Sequence, residues 1–194
     1  MMHTLFPTII HEILIDQYET RQNDLVQFVL EEQKKDPIGV DKSNIGGWQS
    51  MWRDPTDDIL TTTIAETVSN YFNKNSIYND LVLRLHGWWM NINPTGASNN
   101  MHNHPGCDLA GVFWIKTPKD CGNINFHHPQ NVSEFRSLMK YEPEFAERNS
   151  SYNHWWIKPT EGTLLIFPSH LYHWVDPNGS NDDRISASFN LELD

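Results

Sequence analysis

The sequence predicts an α+β protein that is mainly β, with N-terminal helices and sheets that close as a barrel or jelly roll. Apolar residues recur at helical spacing within the first 80 residues. Beyond residue 81, short aromatic and aliphatic segments alternate with Gly, Pro, Asn and Asp, as antiparallel strands do. We expect a single domain, 1–194, in which residues 1–80 support a β core formed by residues 81–194.

The N-terminal part begins with a predicted edge strand and a helix. Residues 8–15 are β-branched and apolar enough for a strand at a sheet edge. Residues 17–35 carry long polar side chains and are stopped by Asp36-Pro37. The apolar residues at helical spacing in this stretch are Leu25, Val26, Val29 and Leu30.

A second helix is predicted after a loop at residues 46–50, which contains two glycines. Residues 54–57 (DPTD) provide the capping residue, the proline and the acids that are typical of a helix start. Apolar residues then follow at four-residue steps: Leu60, Ile64, Val68 and Phe72. This pattern predicts an amphipathic helix that ends near Asn75.

The C-terminal part is expected to form antiparallel strands with one interruption. The predicted strands cover residues 81–93, 109–116, 122–127, 153–158, 163–167 and 184–193. Residues 131–152 mix charged and apolar residues and break this rhythm, so we interpret them as a partly helical insertion and a candidate lid.

Charge and cysteine content exclude several classes of protein. The net charge is −11, and no run of basic residues is longer than Lys34-Lys35, so generic nucleic-acid binding is not expected. Cys107 and Cys121 are too few for a disulfide framework, which indicates reduced thiols and a cytoplasmic location. The N-terminus lacks a secretory signal pattern, and no apolar run approaches the ~20 residues that span a bilayer, so we expect no membrane association.

Three histidines have the spacing of a metal site. His102 and His104 precede an apolar strand, and two extended positions separated by one residue project their side chains to the same side. His173 follows the apolar strand 163–167 and the turn Pro168-Ser169, so it can supply a third ligand from elsewhere in the sheet. Three ligands on one face would leave positions open for a co-substrate and O2. The alternative is a histidine-rich surface without a metal.

The last predicted strand, 184–193, alternates between two faces. Its polar face begins with Arg184 and Ser186. In a sheet with one solvated side these residues would face water, whereas inside a barrel Arg184 could hold a carboxylate through two hydrogen bonds. The apolar face consists of Ile185, Ala187, Phe189, Leu191 and Leu193.

Five short stretches in order carry a resemblance to a known family. They are residues 102–106 (HNHPG), 110–114 (AGVFW), 122–126 (GNINF), 165–169 (LIFPS) with His173, and 184–190 (RISASFN). Residues 5–7, 47–50 and 89–93 match as well. Over nearly its whole length, the chain resembles the 2-oxoglutarate/Fe(II) oxygenases found in bacteria and in phages.

The resemblance implies a double-stranded β-helix, a jelly-roll or cupin-like core, with supporting N-terminal helices. It implies Fe(II) at His102, His104 and His173, and 2-oxoglutarate held by Arg184 with help from Ser186. The implied reaction uses O2 to decarboxylate 2-oxoglutarate oxidatively to succinate and hydroxylates a substrate that the sequence does not identify. That substrate could be a small molecule or a protein side chain.

Polar and aromatic residues beside the motifs are candidates for the pocket wall, although ordinary packing or strand-end hydrogen bonding is the favoured explanation for any one of them. These candidates are Trp89, Asn91, Asn93, Trp114 and Asn125. We assign Asn91 to the co-substrate site. The oligomeric state stays open, and a predicted edge strand at residues 8–15 and exposed tryptophans make a homodimer one of the alternatives.

One departure concerns the middle ligand, which in the wider superfamily is Asp or Glu and here is His104. Asp108 is an alternative carboxylate ligand if the loop bends back, but it lacks the two-residue spacing from His102. Two other functions therefore stay open. One is a three-histidine, cupin-type iron dioxygenase without 2-oxoglutarate, and the other is a non-catalytic metal-binding jelly roll.

Overall fold

The computed structural model describes residues 7–75, 77, 82–129, 141–148 and 152–194. Parts of three predictions lie outside these residues: the start of the motif at 5–7, the first residue of the predicted strand 81–93, and much of the insertion 131–152.

Two antiparallel sheets form the body of the described chain. The larger sheet contains β1 (His11–Leu14), β3 (Trp48–Gln49), β4 (Leu83–Asn93), β6 (Leu109–Lys116), β9 (Thr163–Pro168) and β11 (Arg184–Leu193), in the order β1-β9-β6-β11-β4-β3. The smaller sheet contains β2 (Asn44–Ile45), β5 (Ser98–His102), β7 (Ile124–His127), β8 (His154–Ile157) and β10 (His173–Val175), in the order β2-β5-β10-β7-β8.

The chain crosses repeatedly between these sheets. From β4 to β7, and again from β8 to β11, consecutive strands alternate between the larger and the smaller sheet. This alternation is the strand connectivity of a jelly roll, and it confirms the predicted architecture. Eight aliphatic and aromatic side chains form a core between the sheets: Ala110, Val112, Trp114, Ile124, Phe126, Leu165, Phe167 and Leu171.

Two helices, α1 (Tyr18–Lys35) and α2 (Ile59–Asn75), cover the outer face of the larger sheet. Their apolar residues share one core with β11, including Leu25, Val29, Leu60, Ile64, Val68 and Phe72, as the periodicity predicted. A short helix, α3 (Pro143–Arg148), lies within the insertion and confirms its partly helical character. Among the described residues, no helix combines the length and the hydropathy needed to cross a bilayer.

The start of α2 differs from the prediction. The helix begins at Ile59, and its cap is Asp58 rather than a residue of the 54–57 segment. The carboxylate of Asp58 accepts a hydrogen bond of 2.9 Å from the backbone N–H of Thr61, three residues ahead. Several acids and a proline stand close together here, and the sequence alone did not distinguish which acid makes the capping bond.

Four short strands were not predicted. The expected loop 46–50 contains β3 and adjoins β2, and each of these strands has two residues. β5 and β10 were also missed, because β5 is polar and β10 has only three residues. Hydrophobic alternation identifies strands of several residues that bury one apolar face, whereas β5 is polar and the other three strands have only two or three residues each.

Both faces of β11 are covered. Ile185, Ala187, Phe189 and Leu191 belong to the core beneath the helices. On the opposite face, Arg184, Ser186 and Asn190 are buried between the two sheets. The polar face of this strand is therefore not a solvated surface, which agrees with the barrel-interior interpretation of the alternation.

A buried carboxylate connects α1 to the segment between β3 and α2. Glu32 is 8% exposed and forms ion pairs with Arg53 and, at 2.6 Å, with Lys35. Burial opposes the charge on Glu32, but the hydrogen bonds from Lys35 and Arg53 lower its pKa overall. The guanidinium of Arg53 also lies 5.6 Å from the ring centroid of Trp88 in β4.

Candidate metal and co-substrate site

Three histidine rings converge between the sheets. His102 ends β5 and His173 begins β10, and the two residues are cross-strand partners. His104 lies beyond the end of β5, where its backbone N–H donates to the Ser169 carbonyl at 2.9 Å. β5 ends at His102, so His104 lies just outside the strand, and its ring still meets the other two. The candidate ligand atoms of the three rings lie within 4.8 Å of one another.

Hydrogen bonds fix the orientation of all three rings. The Nδ1 atom of each ring lies at hydrogen-bonding distance from an oxygen that can only accept, so Nδ1 carries the proton and Nε2 keeps its lone pair. The pairs are His102 with the Asn100 carbonyl at 2.7 Å, His104 with Oδ1 of Asn190 at 2.7 Å, and His173 with the Leu171 carbonyl at 2.9 Å. The Nε2 atom of His104 is buried without a hydrogen-bond partner, as expected of a nitrogen that binds a metal.

Burial keeps these imidazoles uncharged. Desolvation lowers the pKa of His173 to about 3 and that of His104 to about 4, and it lowers the pKa of His102 as well. Neutral imidazole is the form that binds metal, and it suits Fe(II) among other transition metals. The residues present therefore fit a metal ion.

Asp108 lies apart from this cluster. Its side chain is exposed, and its carboxylate accepts a hydrogen bond of 2.8 Å from the backbone N–H of Leu193. Among the described residues, the cluster consists of histidines alone.

Arg184 is a buried cation with an unused donor. The residue is 1% exposed, and its Nη1 donates to the carbonyls of Cys121 and, at 3.1 Å, Asp176. Nη2 has no hydrogen-bond partner, and no described carboxylate forms an ion pair with the guanidinium. Burial lowers the pKa of Arg184 to about 10, so the side chain stays charged at neutral pH. A carboxylate fits this arrangement, because it would pair the charge and accept the free N–H bonds.

The histidines and Arg184 line the same pocket between the sheets. Ser186 also lines it, and its cross-strand partners are Asn91 in β4 and Trp114 in β6. Both partners carry an unpaired buried atom, Oδ1 in Asn91 and Nε1 in Trp114. Four lining residues, including His104 and Arg184, thus present polar atoms that have no partner within the described protein.

Two of the candidate wall residues do not line the pocket. Asn125 donates a 2.9 Å hydrogen bond to the Asp176 carboxylate, and Asn93 is buried beside Arg184 as its cross-strand partner. Trp89, Asn91 and Trp114 do line it.

Stacked aromatic rings extend from His104 towards the surface. The His104 and Trp89 rings stack at 5.5 Å between centroids, and Trp89 and Trp52 stack at 5.7 Å. Trp52 is 44% exposed, and it lies against Gly87, where any Cβ would overlap the indole. We call His104, Trp89 and Trp52 the ring stack. The sequence analysis did not identify Trp52 as part of the site, because no sequence pattern pointed to it. It did not identify Asn190 either, although the position of Asn190 on the polar face of β11 indicated that it could reach the site.

Comparison with known proteins shows the family of the chain. Residues 87–190, more than half of the chain, match the family model described as "Putative 2OG-Fe(II) oxygenase". A comparison with curated proteins found no match.

Solved structures share the fold at low identity. A Pseudomonas putida prolyl-4-hydroxylase has a TM-score of 0.63 at 13% identity, covering 95% of this chain and 92% of that chain. The viral collagen prolyl hydroxylase of Paramecium Bursaria Chlorella virus-1, in a 2-oxoglutarate complex, has a TM-score of 0.59 at 13% identity, covering 94% of each chain. HygX of Streptomyces hygroscopicus, with nickel, 2-oxoglutarate and hygromycin B bound, has a TM-score of 0.62 at 10% identity, covering 95% of this chain and 83% of that one.

The fold is the double-stranded β-helix of non-haem iron oxygenases, as the resemblance implied. The chain belongs to the 2-oxoglutarate/Fe(II) oxygenase family that the matching model describes. Its cofactors are accordingly Fe(II), 2-oxoglutarate as co-substrate, and O2.

Proposed function

We propose that this oxygenase hydroxylates its substrate with His102, His104 and His173 as the iron ligands. Arg184, Ser186 and Asn91 form the 2-oxoglutarate site in this proposal. The observation that carries it is that the histidine cluster and the unpaired Nη2 of Arg184 belong to one pocket.

When bound, Fe(II) and 2-oxoglutarate supply the oxidising chemistry, in which O2 decarboxylates the keto acid to succinate and the substrate is hydroxylated. The protein's own part is to hold and orient these groups and to exclude water. The histidines offer Nε2 lone pairs that are already aimed by the bonds at Nδ1. Apolar side chains exclude water around the pocket, among them Val112, Ile124 and Phe167.

Arg184 orients the co-substrate through its distal carboxylate. Because Nη1 is already bonded to two backbone carbonyls, the guanidinium is held in place and Nη2 remains available. The hydroxyl of Ser186 and the N–H of Trp114 lie in the same pocket wall and can donate to the same carboxylate. Asn91 lines the same pocket, and its Nδ2 donates to Oγ of Ser188 at 3.2 Å, which leaves its second N–H to donate to the co-substrate.

The substrate enters from one side of the pocket. Ser43, Trp89, Asn99 and His102 are partly exposed lining residues, and we call them the mouth. At the other end of the pocket, Trp114, Arg184 and Ser186 are buried. Structures with this fold include prolyl hydroxylases and HygX with hygromycin B bound, so both protein side chains and small molecules are substrates to test.

An anaerobic titration tests the proposal. Purified metal-free protein receives Fe(II) and then 2-oxoglutarate, and the weak visible band of a metal-chelated keto acid is recorded. We expect the band in the wild type, its loss in Arg184→Gln, and loss of iron in His173→Ala. The exposed residues Arg21 and His170 provide matched controls, and Arg21→Gln and His170→Ala should retain the band.

Two results would overturn the proposal. Iron binding without the band would favour the three-histidine dioxygenase that needs no 2-oxoglutarate. Absence of iron binding would favour the non-catalytic jelly roll.

We also propose the domain organisation, the location and the partners of the enzyme. Residues 1–194 act as one domain, which the shared core of α1, α2 and the larger sheet supports. A cytoplasmic location is supported by Cys107 and Cys121, which are free thiols. A net charge of −11 argues against a nucleic-acid partner.

A homodimer is proposed through β1, the terminal strand of the larger sheet. Exposed Trp155 and Trp156, at 45% and 55%, provide a second surface for self-association. Light scattering after size-exclusion chromatography tests this, and the mass of a single chain would overturn it.

A further inference from the structure

The pocket contains no acidic side chain among its described lining residues. The chain as a whole carries 25 Asp and Glu against 14 Lys and Arg. The lining nevertheless includes one cation, Arg184, three imidazoles and no carboxylate. The acidic side chains of the described residues therefore do not line this cavity.

The groups that orient the three imidazoles are also neutral. His102 and His173 bond to backbone carbonyls, and His104 bonds to the amide of Asn190. A carboxylate at any of these places would add negative charge to the metal site through the ring. None of the three rings has one.

Asp176 is the acid whose charge acts on Arg184. Asp176 is half-buried, and its carboxylate accepts hydrogen bonds from the Asn125 side chain at 2.9 Å and the Asn123 backbone N–H at 3.4 Å. Its backbone carbonyl, and not its carboxylate, accepts from the guanidinium. Asp176 therefore lies at the Arg184 end of the pocket, away from the histidines.

The charges around the histidines do not balance once the site is filled. Iron contributes two positive charges, and three neutral imidazoles contribute none. In the proposed function, one carboxylate of 2-oxoglutarate would lie at the metal and the other would pair with Arg184. One positive charge is left over at the metal end, which an acid at position 104 would have cancelled. An unpaired charge inside a protein is costly, so a ligand that brings one negative charge is favoured.

We propose that the substrate presents a single anionic group, such as a carboxylate, to the metal end of the pocket through the mouth. This inference rests on the proposed function and adds the substrate class to it. The mouth is suited to such a group, because Ser43 and Asn99 offer a hydroxyl and an amide N–H and the mouth contains no acid. Trp89 provides an uncharged wall beside them.

Acetate and acetamide test the proposal, because they have nearly the same shape and differ by one charge. Protein loaded with Fe(II) and 2-oxoglutarate is titrated anaerobically with each, in a chloride-free buffer, and binding is followed by calorimetry and by the shift of the visible band. We expect acetate to bind at least about tenfold more tightly than acetamide while the band persists. In His104→Asp the preference should disappear, because the carboxylate supplies the missing charge. Ser43→Ala should weaken acetate binding several-fold.

Each outcome decides something definite. Equal binding of acetate and acetamide to the wild type, with the band present, overturns the anionic substrate and leaves the proposed function intact. Failure to form the band at all overturns the proposed function. An unchanged preference in a folded, metal-loaded His104→Asp protein overturns the charge argument. If that variant does not fold, the comparison in the wild type still decides the question.

Discussion

The Nδ1–H of His104 donates a hydrogen bond of 2.7 Å to Oδ1 of Asn190, and both side chains are buried. This bond joins the loop after β5 to the central part of β11. It selects the tautomer of His104 and directs Nε2 towards the other two histidines. Asn190 is therefore a positioning residue for the metal site, although it lies outside the ligand set.

Replacing Asn190 with Ala should weaken metal binding by about 10-fold to 100-fold, because the ring loses the acceptor that fixes its orientation. Calorimetric titration with Fe(II) or Co(II) measures this loss. Asn23→Ala, at an exposed position of α1, is the matched control and should bind metal like the wild type. A wild-type affinity in Asn190→Ala would mean that the loop alone positions His104.

Lowering the pH from 6.5 towards 4 should lower the free energy of unfolding of the metal-free protein. Burial lowers the pKa of His104 to about 4 and of His173 to about 3, while the unfolded chain takes up these protons near the ordinary pKa of 6.5. The unfolded state thus binds more protons below pH 6.5, so the free energy of unfolding falls as the pH decreases from there towards 4. The loss approaches about 1.4 kcal/mol per pH unit for each ring.

Urea unfolding at pH 7, 6 and 5 measures this dependence. The double variant His104→Gln, His173→Gln should lose part of the slope, whereas His170→Gln, at an exposed position, should keep it. Identical slopes in the wild type and the double variant would show that other groups control the acid stability.

Glu32→Gln should lower the free energy of unfolding by about 1–2 kcal/mol, because it removes the charge that pairs with Arg53 in a largely buried place. Glu31→Gln is the matched control, since Glu31 is exposed and adjacent. Chemical denaturation compares the two variants, and equal stabilities would contradict the role assigned to Glu32. Lys35→Ala should have little effect, because the Lys35 side chain is 69% exposed.

Gly87→Ala should displace Trp52 from Trp89 without unfolding the protein. The added methyl group would overlap the indole of Trp52, which is a partly exposed side chain that can move. We expect an altered tryptophan emission spectrum and near-native stability, and Trp52→Phe should reproduce part of the spectral change. An unchanged spectrum would show that the indole of Trp52 does not rest on Gly87 in solution.

The elements that the sequence predicted are those that bury one apolar face. Leu60, Ile64, Val68 and Phe72 identified α2, and the alternation from Arg184 onwards identified β11 together with its polar inner face. The three histidines were predicted from their spacing and meet in the structure, although their role as ligands stays a prediction.

Other features depend on contacts between distant residues, which spacing does not reveal. Asn190 reaches His104 across 86 positions of sequence, and Trp52 stacks on Trp89 from a segment without regular structure. The polar strand β5 is held by its neighbours in the sheet and not by an apolar pattern of its own. Such features could be found only once the sheets were assembled.

The ring stack connects a buried imidazole to an indole that contacts solvent. Because His104, Trp89 and Trp52 are in successive contact, any change of charge or orientation at His104 alters the surroundings of Trp89 directly and those of Trp52 through one further ring. Indole emission is sensitive to such changes. We therefore expect occupancy of the inner pocket to change the emission of Trp89 and Trp52 without any added dye.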